Sequence, residues 1–254
     1  MILIMLYAFT VEGNSVTNFL FSFSNFVRFF KDADFLKVLG RSLRVALVTT
    51  VICVFLGYPP AYFIAKCSEK VKLGWVLLIT FPTWINMLVR TYAWVGILQD
   101  DGIFNNILAF FGIAPVKMMY TEFAVILGMV YNFLPFMVLQ IYTSLAKMDY
   151  SLIEAAADLG ADRKQCFLKI TLPMSLPGVI SGITLVFLPA VSSFFIPKIL
   201  GGGQYVLVGT MIESQFLTSG DWNFGSAVSL IMVIIIMVSM YFMKKADVSE
   251  PAKN

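Results

Sequence analysis

The chain has 254 residues, of which 59% are hydrophobic and 13% charged, with a net charge of +3 and no histidine. A soluble domain of this size carries about twice that share of charge, so most of the surface must meet lipid rather than water. The missing histidine removes the commonest general base and metal ligand at neutral pH. Cys53, Cys67 and Cys166 stand far apart without CxxC spacing, which indicates neither a zinc site nor a disulfide framework. The small, scattered charge gives no sign of nucleic acid as a partner.

A helix crossing ~30 Å of hydrocarbon needs about 20 apolar residues. Met1–Phe9 is apolar but too short to span alone, and it lacks the basic start and small-residue cleavage site of a signal peptide. It reads as the end of a first span, cut by a truncated or misplaced start, or as an interfacial stub. Residues 1–34 are therefore set apart as a partial span with an external amphipathic segment. "SNFVRFFKDADFLKVLGRSLR" reads as a helix lying along the interface, with Phe26, Phe29, Phe30 and Leu36 toward lipid.

Five full spans follow within a transmembrane domain at 35–243: Val45–Ala65, Leu73–Leu98, Phe123–Leu145, Gly178–Ile196 and Ser226–Met243. Four of them contain or end on proline (Pro59-Pro60, Pro82, Pro135, Pro189), which predicts bent helices packed in a bundle. If the spans alternate, one side collects the loop with Lys66, Lys70 and Lys72, the segment with Lys147, Arg163, Lys164 and Lys169, and the tail 244–254 with Lys244, Lys245 and Lys253. That side holds ten of the 18 basic residues and is expected to be cytoplasmic. Arg28, Lys31, Lys37, Arg41 and Arg44 fall on the other side and oppose this orientation.

One segment, residues 147–173, is too polar to cross. Ser151-Leu-Ile-Glu154 fits a capping box, predicting a helix from Leu152 whose Leu152, Ile153, Ala156 and Leu159 share a face. Gly160 suits the left-handed residue that ends a helix. Asp162-Arg-Lys-Gln165 opens a second helix with Cys166, Phe167 and Ile170 inward, and Leu172-Pro173 is expected to close it. Two short helices at a glycine corner could be an ordinary solvated loop.

The spacing argues otherwise. Glu154-Ala155-Ala156, then Gly160, then Ile170-Thr171-Leu172-Pro173 reproduces E-A-A-x(3)-G-x(9)-I-x-L-P. In this the chain resembles the permease subunits of ABC importers. "RSLRVALVTTVICVFLGYPPAYFIAK", "FPTWINMLVRTYAW", "YNFLPFMVLQIY" and "DWNFGSA" look like the B-type permease of spermidine/putrescine importers. The resemblance implies an all-α, type I importer fold with six spans, so the short N-terminus departs from the pattern. It also implies that Glu154, Ala155, Ala156, Gly160, Ile170, Leu172 and Pro173 couple to an ATPase subunit. The implied partners are an ATPase dimer, a second homologous permease subunit and an extracytoplasmic substrate-binding protein, in a bacterial inner membrane.

No G-x(4)-G-K-[ST] motif occurs, so the chain is expected to bind no cofactor and do no chemistry, with ATP and Mg used by the ATPase partner. Trp84, Asn86, Arg90, Trp94 and Tyr131 are candidates for the cargo pathway. Arg90 near mid-span costs at least ~2.5–3.5 kcal/mol and should face protein or water, as a fixed charge in the pathway or a structural pairing with the partner subunit. Glu213, Asp221 and Trp222, beyond the glycine run 201–203, are candidates for an external gate or a contact with the binding protein. A plain external loop would read the same. Other cargo (ferric iron, thiosulfate, sulfate) stays open because Arg90 suits an anion better than a polyamine. A self-sufficient transporter or channel would need more ionisable residues inside its spans.

Overall fold

The computed structural model describes residues 2–10 and 21–248, with side chains from Leu3 to Met243 and at Lys245. The tail expected at 244–254 lies largely outside them. In chain order the helices are α1 (Ile2–Ala8), α2 (Ser24–Lys31), α3 (Ala33–Lys66), α4 (Glu69–Trp84), α5 (Met87–Leu98), α6 (Ile103–Phe110), α7 (Glu122–Ala146), α8 (Ser151–Asp158), α9 (Arg163–Cys166), α10 (Leu172–Ser192), α11 (Phe195–Leu200), α12 (Val208–Ser214) and α13 (Trp222–Val248). Five-residue π turns join α9 to α10 (Phe167–Thr171) and follow α12 (Gln215–Ser219). No named β-strand occurs among the described residues.

Four helical stretches are long and apolar enough to cross a membrane: α3, α7, α9 through α10, and α13. The expected span Leu73–Leu98 is not one rod. It breaks after Trp84, where Ile85 takes an extended conformation (φ −77°, ψ 135°), and resumes as α5. Pro82 lies inside α4, three residues before the break, and its missing N–H and ring disturb the ladder toward Leu78 rather than at Ile85. A fifth span therefore exists only if α4 and the helices after the break count as a bent pair.

Two compact units arise along the chain. The first gathers residues 1–48, 88–129 and 188–241, and the second gathers 49–87, 130–187 and 242–254. The N-terminal helices thus pack within the first unit. Asn223 at the start of α13 donates to the carbonyls of Tyr7 and Thr10.

The interfacial helix expected around residues 25–44 is corrected by the structure. The chain breaks at Asp32, and Phe29 is fully buried, stacked on Phe35, which in turn packs on Phe224. Only Phe30 and Leu36 of the predicted lipid face are exposed. α3 then runs 34 residues, about 51 Å at 1.5 Å each. That exceeds ~30 Å of hydrocarbon, so its basic start extends past the apolar layer. Four of the five basic residues there are engaged: Arg28 with Asp221 at 2.8 Å, Lys37 with Asp34 at 2.9 Å, Arg44 with Glu122 at 2.5 Å, and Arg41 over the Tyr205 ring at 5.1 Å. Pairing does not remove these charges from the balance that sets orientation, in which acids weigh little.

In the second unit, α7 and α10 approach closely because Gly178 and Gly182 present no side chain. A Cβ on Gly178 would sit 2.5 Å from the Ser144 Cβ and 2.6 Å from the Gln140 carbonyl; one on Gly182 would meet the Met137 sulfur at 2.5 Å. The pair is a G-x-x-x-G contact, the arrangement that lets membrane helices gain dispersion energy without a hydrophobic drive.

Gly178→Ala is expected to force the helices apart and destabilise the protein by about 1–3 kcal/mol. Gly74→Ala, where an added Cβ meets nothing within 4 Å, should be neutral. Thermal unfolding in detergent compares the two, and equal midpoints would show that this crossing tolerates a methyl group.

Candidate functional site: an anchored helix corner

Residues 147–173 form two helical arms around a glycine corner, as expected, but with different ends. The Ser151–Glu154 capping box does not form. α8 starts at Ser151 itself, with Tyr150 at the cap position making no side-chain cap bond. Asp149 does the work instead, its Oδ1 accepting from the Ser151 N–H at 3.0 Å. That bond holds the Asp149 carboxyl below the usual carboxylate range. Because the shift is downward, the contribution is complete at neutral pH and fades only as pH falls through the lowered value.

The corner follows the glycine reading. Gly160 has φ +85°, and the Ala161 and Gly160 N–H groups donate to the carbonyls of Ala156 (3.0 Å) and Ala157 (2.9 Å), the paired bonds of a Schellman ending. Asp162 and Gln165 then close a reciprocal capping box, at 2.6 Å and 3.1 Å.

The second arm does not stop at Leu172-Pro173. The π turn widens the helix where Pro173 would clash with the carbonyl of Lys169, and the Leu172 N–H bonds five residues back to Phe167. α9 therefore runs directly into the span of α10. Ile170, Leu172 and Pro173 are half-buried at this junction rather than at a helix end.

Exposure on the first arm also departs from the sequence pattern. Ile153 and Ala156 are half-buried, but Leu152 is 46% and Leu159 90% exposed. Glu154 and Ala155 are exposed too.

The corner is fastened to the end of α3. The Tyr150 hydroxyl donates to the Ala65 carbonyl at 3.1 Å, and the Tyr58 hydroxyl shares a hydrogen bond with Ser175 at 2.8 Å. The rings of Tyr58 and Tyr62 stand edge-on to Phe167, at 5.8 and 5.5 Å. Lys66 lies 4.2 Å over the Tyr62 ring. A cleft of about 410 Å³ between these parts is lined by Lys66, Ile153, Ala157 and Arg163, among others. The anchoring role of the tyrosines escaped the sequence reading. Proximity to the π turn is visible only in three dimensions.

The other candidates are dispersed. Trp84 ends α4 and is exposed; Asn86 lies in the break before α5, so it does not share a helical face with Arg90 and Trp94. Arg90 and Trp94 stay one turn apart in α5, while Tyr131 belongs to α7. Trp84, Asn86 and Tyr131 fall in the second unit, and Arg90 and Trp94 in the first.

Glu213 and Asp221 are held within the first unit. Glu213 pairs with Lys198 at 2.5 Å. Asp221 caps α13 by accepting from the Phe224 N–H at 2.9 Å while pairing with Arg28. Trp222 is exposed and packs against Tyr7 and Phe216. The segment after the glycine run is packed rather than loose: Leu207 and Val208 are fully buried, and the Val208 N–H donates to Ser42 at 2.8 Å. Glu122 accepts from Arg44 and from the Tyr205 hydroxyl. Burial first, then that bond, pushes the Tyr205 phenol up.

Comparison with known proteins places the chain. Residues 2–246 match the family described as "binding-protein-dependent transport system inner membrane component". The chain belongs to this family of transporter permease subunits. It is 39% identical to the "Spermidine/putrescine transport system permease protein PotB" of Escherichia coli, over 92% of this chain and 86% of that protein. The protein of the same title from Haemophilus influenzae is 38% identical over 94% of this chain and 84% of its own length. Among solved structures, a chain of a bacterial alginate ABC transporter superposes with a TM-score of 0.75 at 18% identity, covering 87% of this chain and 81% of that one. A chain of the MetNI methionine ABC transporter superposes with a TM-score of 0.60 at 15% identity, covering 84% and 94%. These two likenesses establish the ABC permease fold.

Gly160→Val should strain the positive-φ corner and lower transport severalfold while membrane insertion is kept. Asp149→Ala should lower it as well, and Ser151→Ala should not. Uptake normalised to membrane abundance measures all three; equal loss of insertion and uptake in Gly160→Val would remove the corner from the coupling route.

Proposed function

We propose that this chain is one permease half of an ATP-driven polyamine importer and that α8 with its glycine corner is where a partner ATPase takes hold. The observation that carries the proposal is mechanical. A capped, anchored corner presents Leu152, Leu159 and a bare Ala155 outward, and its second arm continues as a membrane-length helix. Displacement of the corner by a partner would therefore move α10 directly. The chain itself needs no nucleotide; ATP and Mg belong to the ATPase dimer. A second, homologous permease subunit completes the conduit, and an extracytoplasmic binding protein delivers cargo. In this arrangement residues 147–173 and the C-terminal tail face the cytoplasm.

Cargo identity draws its support from the relatives titled as spermidine/putrescine permeases. Within this chain, exposed Trp84 and Tyr131 offer aromatic faces of the kind that attract ammonium groups.

The test is ATP hydrolysis by the complex reconstituted with its binding protein, given spermidine, putrescine, ferric iron or sulfate in turn. Stimulation by the polyamines is expected. Stimulation by sulfate alone would sink the cargo assignment, and vesicles in which this chain moves solute unaided would sink the subunit assignment.

A further inference from the structure

The cleft beside the corner, about 410 Å³ in volume, lies between the end of α3, one face of α8 and the π turn. Exposed Lys66 and Arg163 stand at its rim, and half-buried Ile153, Ala161 and Phe167 wall it. The Tyr62 ring, 4.2 Å from the Lys66 ammonium, fixes that cation in place without neutralising it. Neither cation closes an ion pair among the described residues. The corner's own acids are placed otherwise: Asp149 and Asp162 cap helices, and Glu154 and Asp158 do not line the cleft.

Two cations over an apolar wall suit an amphiphile with an anionic head. A free phosphate would satisfy the cations but leave Ile153, Ala161 and Phe167 against water. A carboxylate of the ATPase would have to arrive from the other side. At about 100° per residue, Ile153 and Ala157 share one face of α8, while Ala155, bared toward the ATPase, lies opposite. Lys66 is the last residue of α3, and Phe167 begins the turn that feeds α10. The cleft therefore stands between the ends of two membrane-length helices. Basic pockets in that position on the cytoplasmic side take anionic lipid heads. The volume falls within the ~300–1,000 Å³ of small-molecule sites, room for a phosphodiester with its glycerol. A choline head would bring a third cation to the same rim.

We infer that the cleft holds the head of an anionic phospholipid, its phosphate between Lys66 and Arg163 and its glycerol end against Ile153, Ala161 and Phe167. The lipid ties the last residue of α3 to the first residue of the second arm, in addition to the tyrosine contacts. The inference rests on the proposed cytoplasmic placement of residues 147–173.

The assembled complex in detergent is titrated with phosphatidylglycerol and, separately, with phosphatidylcholine, and native mass spectrometry counts the lipids bound. Wild type should hold one phosphatidylglycerol that Lys66→Gln/Arg163→Gln binds roughly thirtyfold more weakly, and each single change roughly fivefold. Lys70→Gln/Lys164→Gln, which alters two cations outside the cleft, should bind it as wild type does. Ala157→Phe keeps both cations but fills the cleft, and should lose the lipid too; it decides if the double variant does not assemble. Undiminished binding in these cleft variants, or phosphatidylcholine held as tightly at the same site, would overturn the inference. So would displacement of the lipid by inorganic phosphate at equal concentration, the mark of a free-anion site. Loss of the ATPase from Lys66→Gln/Arg163→Gln with lipid binding kept would assign the cations to a protein contact instead. Polyamine-stimulated hydrolysis by the wild-type complex is scored apart. Its absence would defeat the proposed function and leave the lipid count standing, whereas its presence with no lipid lost in the variants would defeat the lipid site alone.

Discussion

The contacts of three tyrosines around the end of α3 decide whether the polar segment is a loop or a lever. Tyr150 ties the start of α8 to the Ala65 carbonyl, Tyr62 braces Phe167, and Tyr58 both braces Phe167 and bonds Ser175 in the first turn of α10. Each hydrogen bond is worth only ~0.5–1.5 kcal/mol net. Their value is positional: they hold both arms of the corner against one long helix. A segment tethered at a single end would absorb an imposed displacement by swinging. One tethered at both ends can only pass it on.

The junction between α9 and α10 has to satisfy two demands. It must be continuous, so that motion of the corner reaches the span, and it must admit Pro173, which cannot donate to the ladder. The π turn meets both by shifting one stretch of bonds from four residues to five. Thr171, fully buried, donates its hydroxyl to the Cys166 carbonyl at 3.5 Å across that wider turn. Beyond it, Gly178 and Gly182 let α10 lie directly on α7, so the helix that receives the displacement is in tight contact with a second long helix.

Much of this was legible in the sequence because it depends on local chemistry. The left-handed glycine, the Asp162–Gln165 box and the apolar lengths of α3, α7 and α13 each follow from residues within a few turns of one another. What escaped depends on competition between neighbouring residues and on long-range contacts. The Ser151 N–H, which the expected box would have given to the Glu154 side chain, goes instead to Asp149 two residues earlier, and Ser151 becomes the first residue of α8. Phe29 looked like a lipid anchor by periodicity, yet Phe35 and Phe224 bury it, and residue 224 is remote in sequence. Pro173 signals a stop in any soluble helix; only the junction with a span makes continuity worth the wider turn. The break at Ile85-Asn86 could have been suspected from Pro82, but two other predicted spans carry proline inside an unbroken helix, while the span expected at Gly178–Ile196 breaks at Ser193-Phe194 after Pro189.

Charge is distributed unevenly between the two units. In the first unit, Arg28, Arg44 and Lys198 each close on an acid from a distant part of the chain, and Glu122 binds two partners. Those pairs cross-link α2, α3, α7, α11, α12 and the start of α13. The described contacts around the corner in the second unit contain no comparable long-range ion pair; hydrogen bonds from tyrosine, ring edges and glycine contacts join its helices instead. Such contacts are short-ranged and shape-dependent, whereas the cations of the first unit's pairs are half-exposed, where an ion pair contributes about 0–1 kcal/mol. The half that carries the corner is thus joined by shape, and the other half is joined in part by charge.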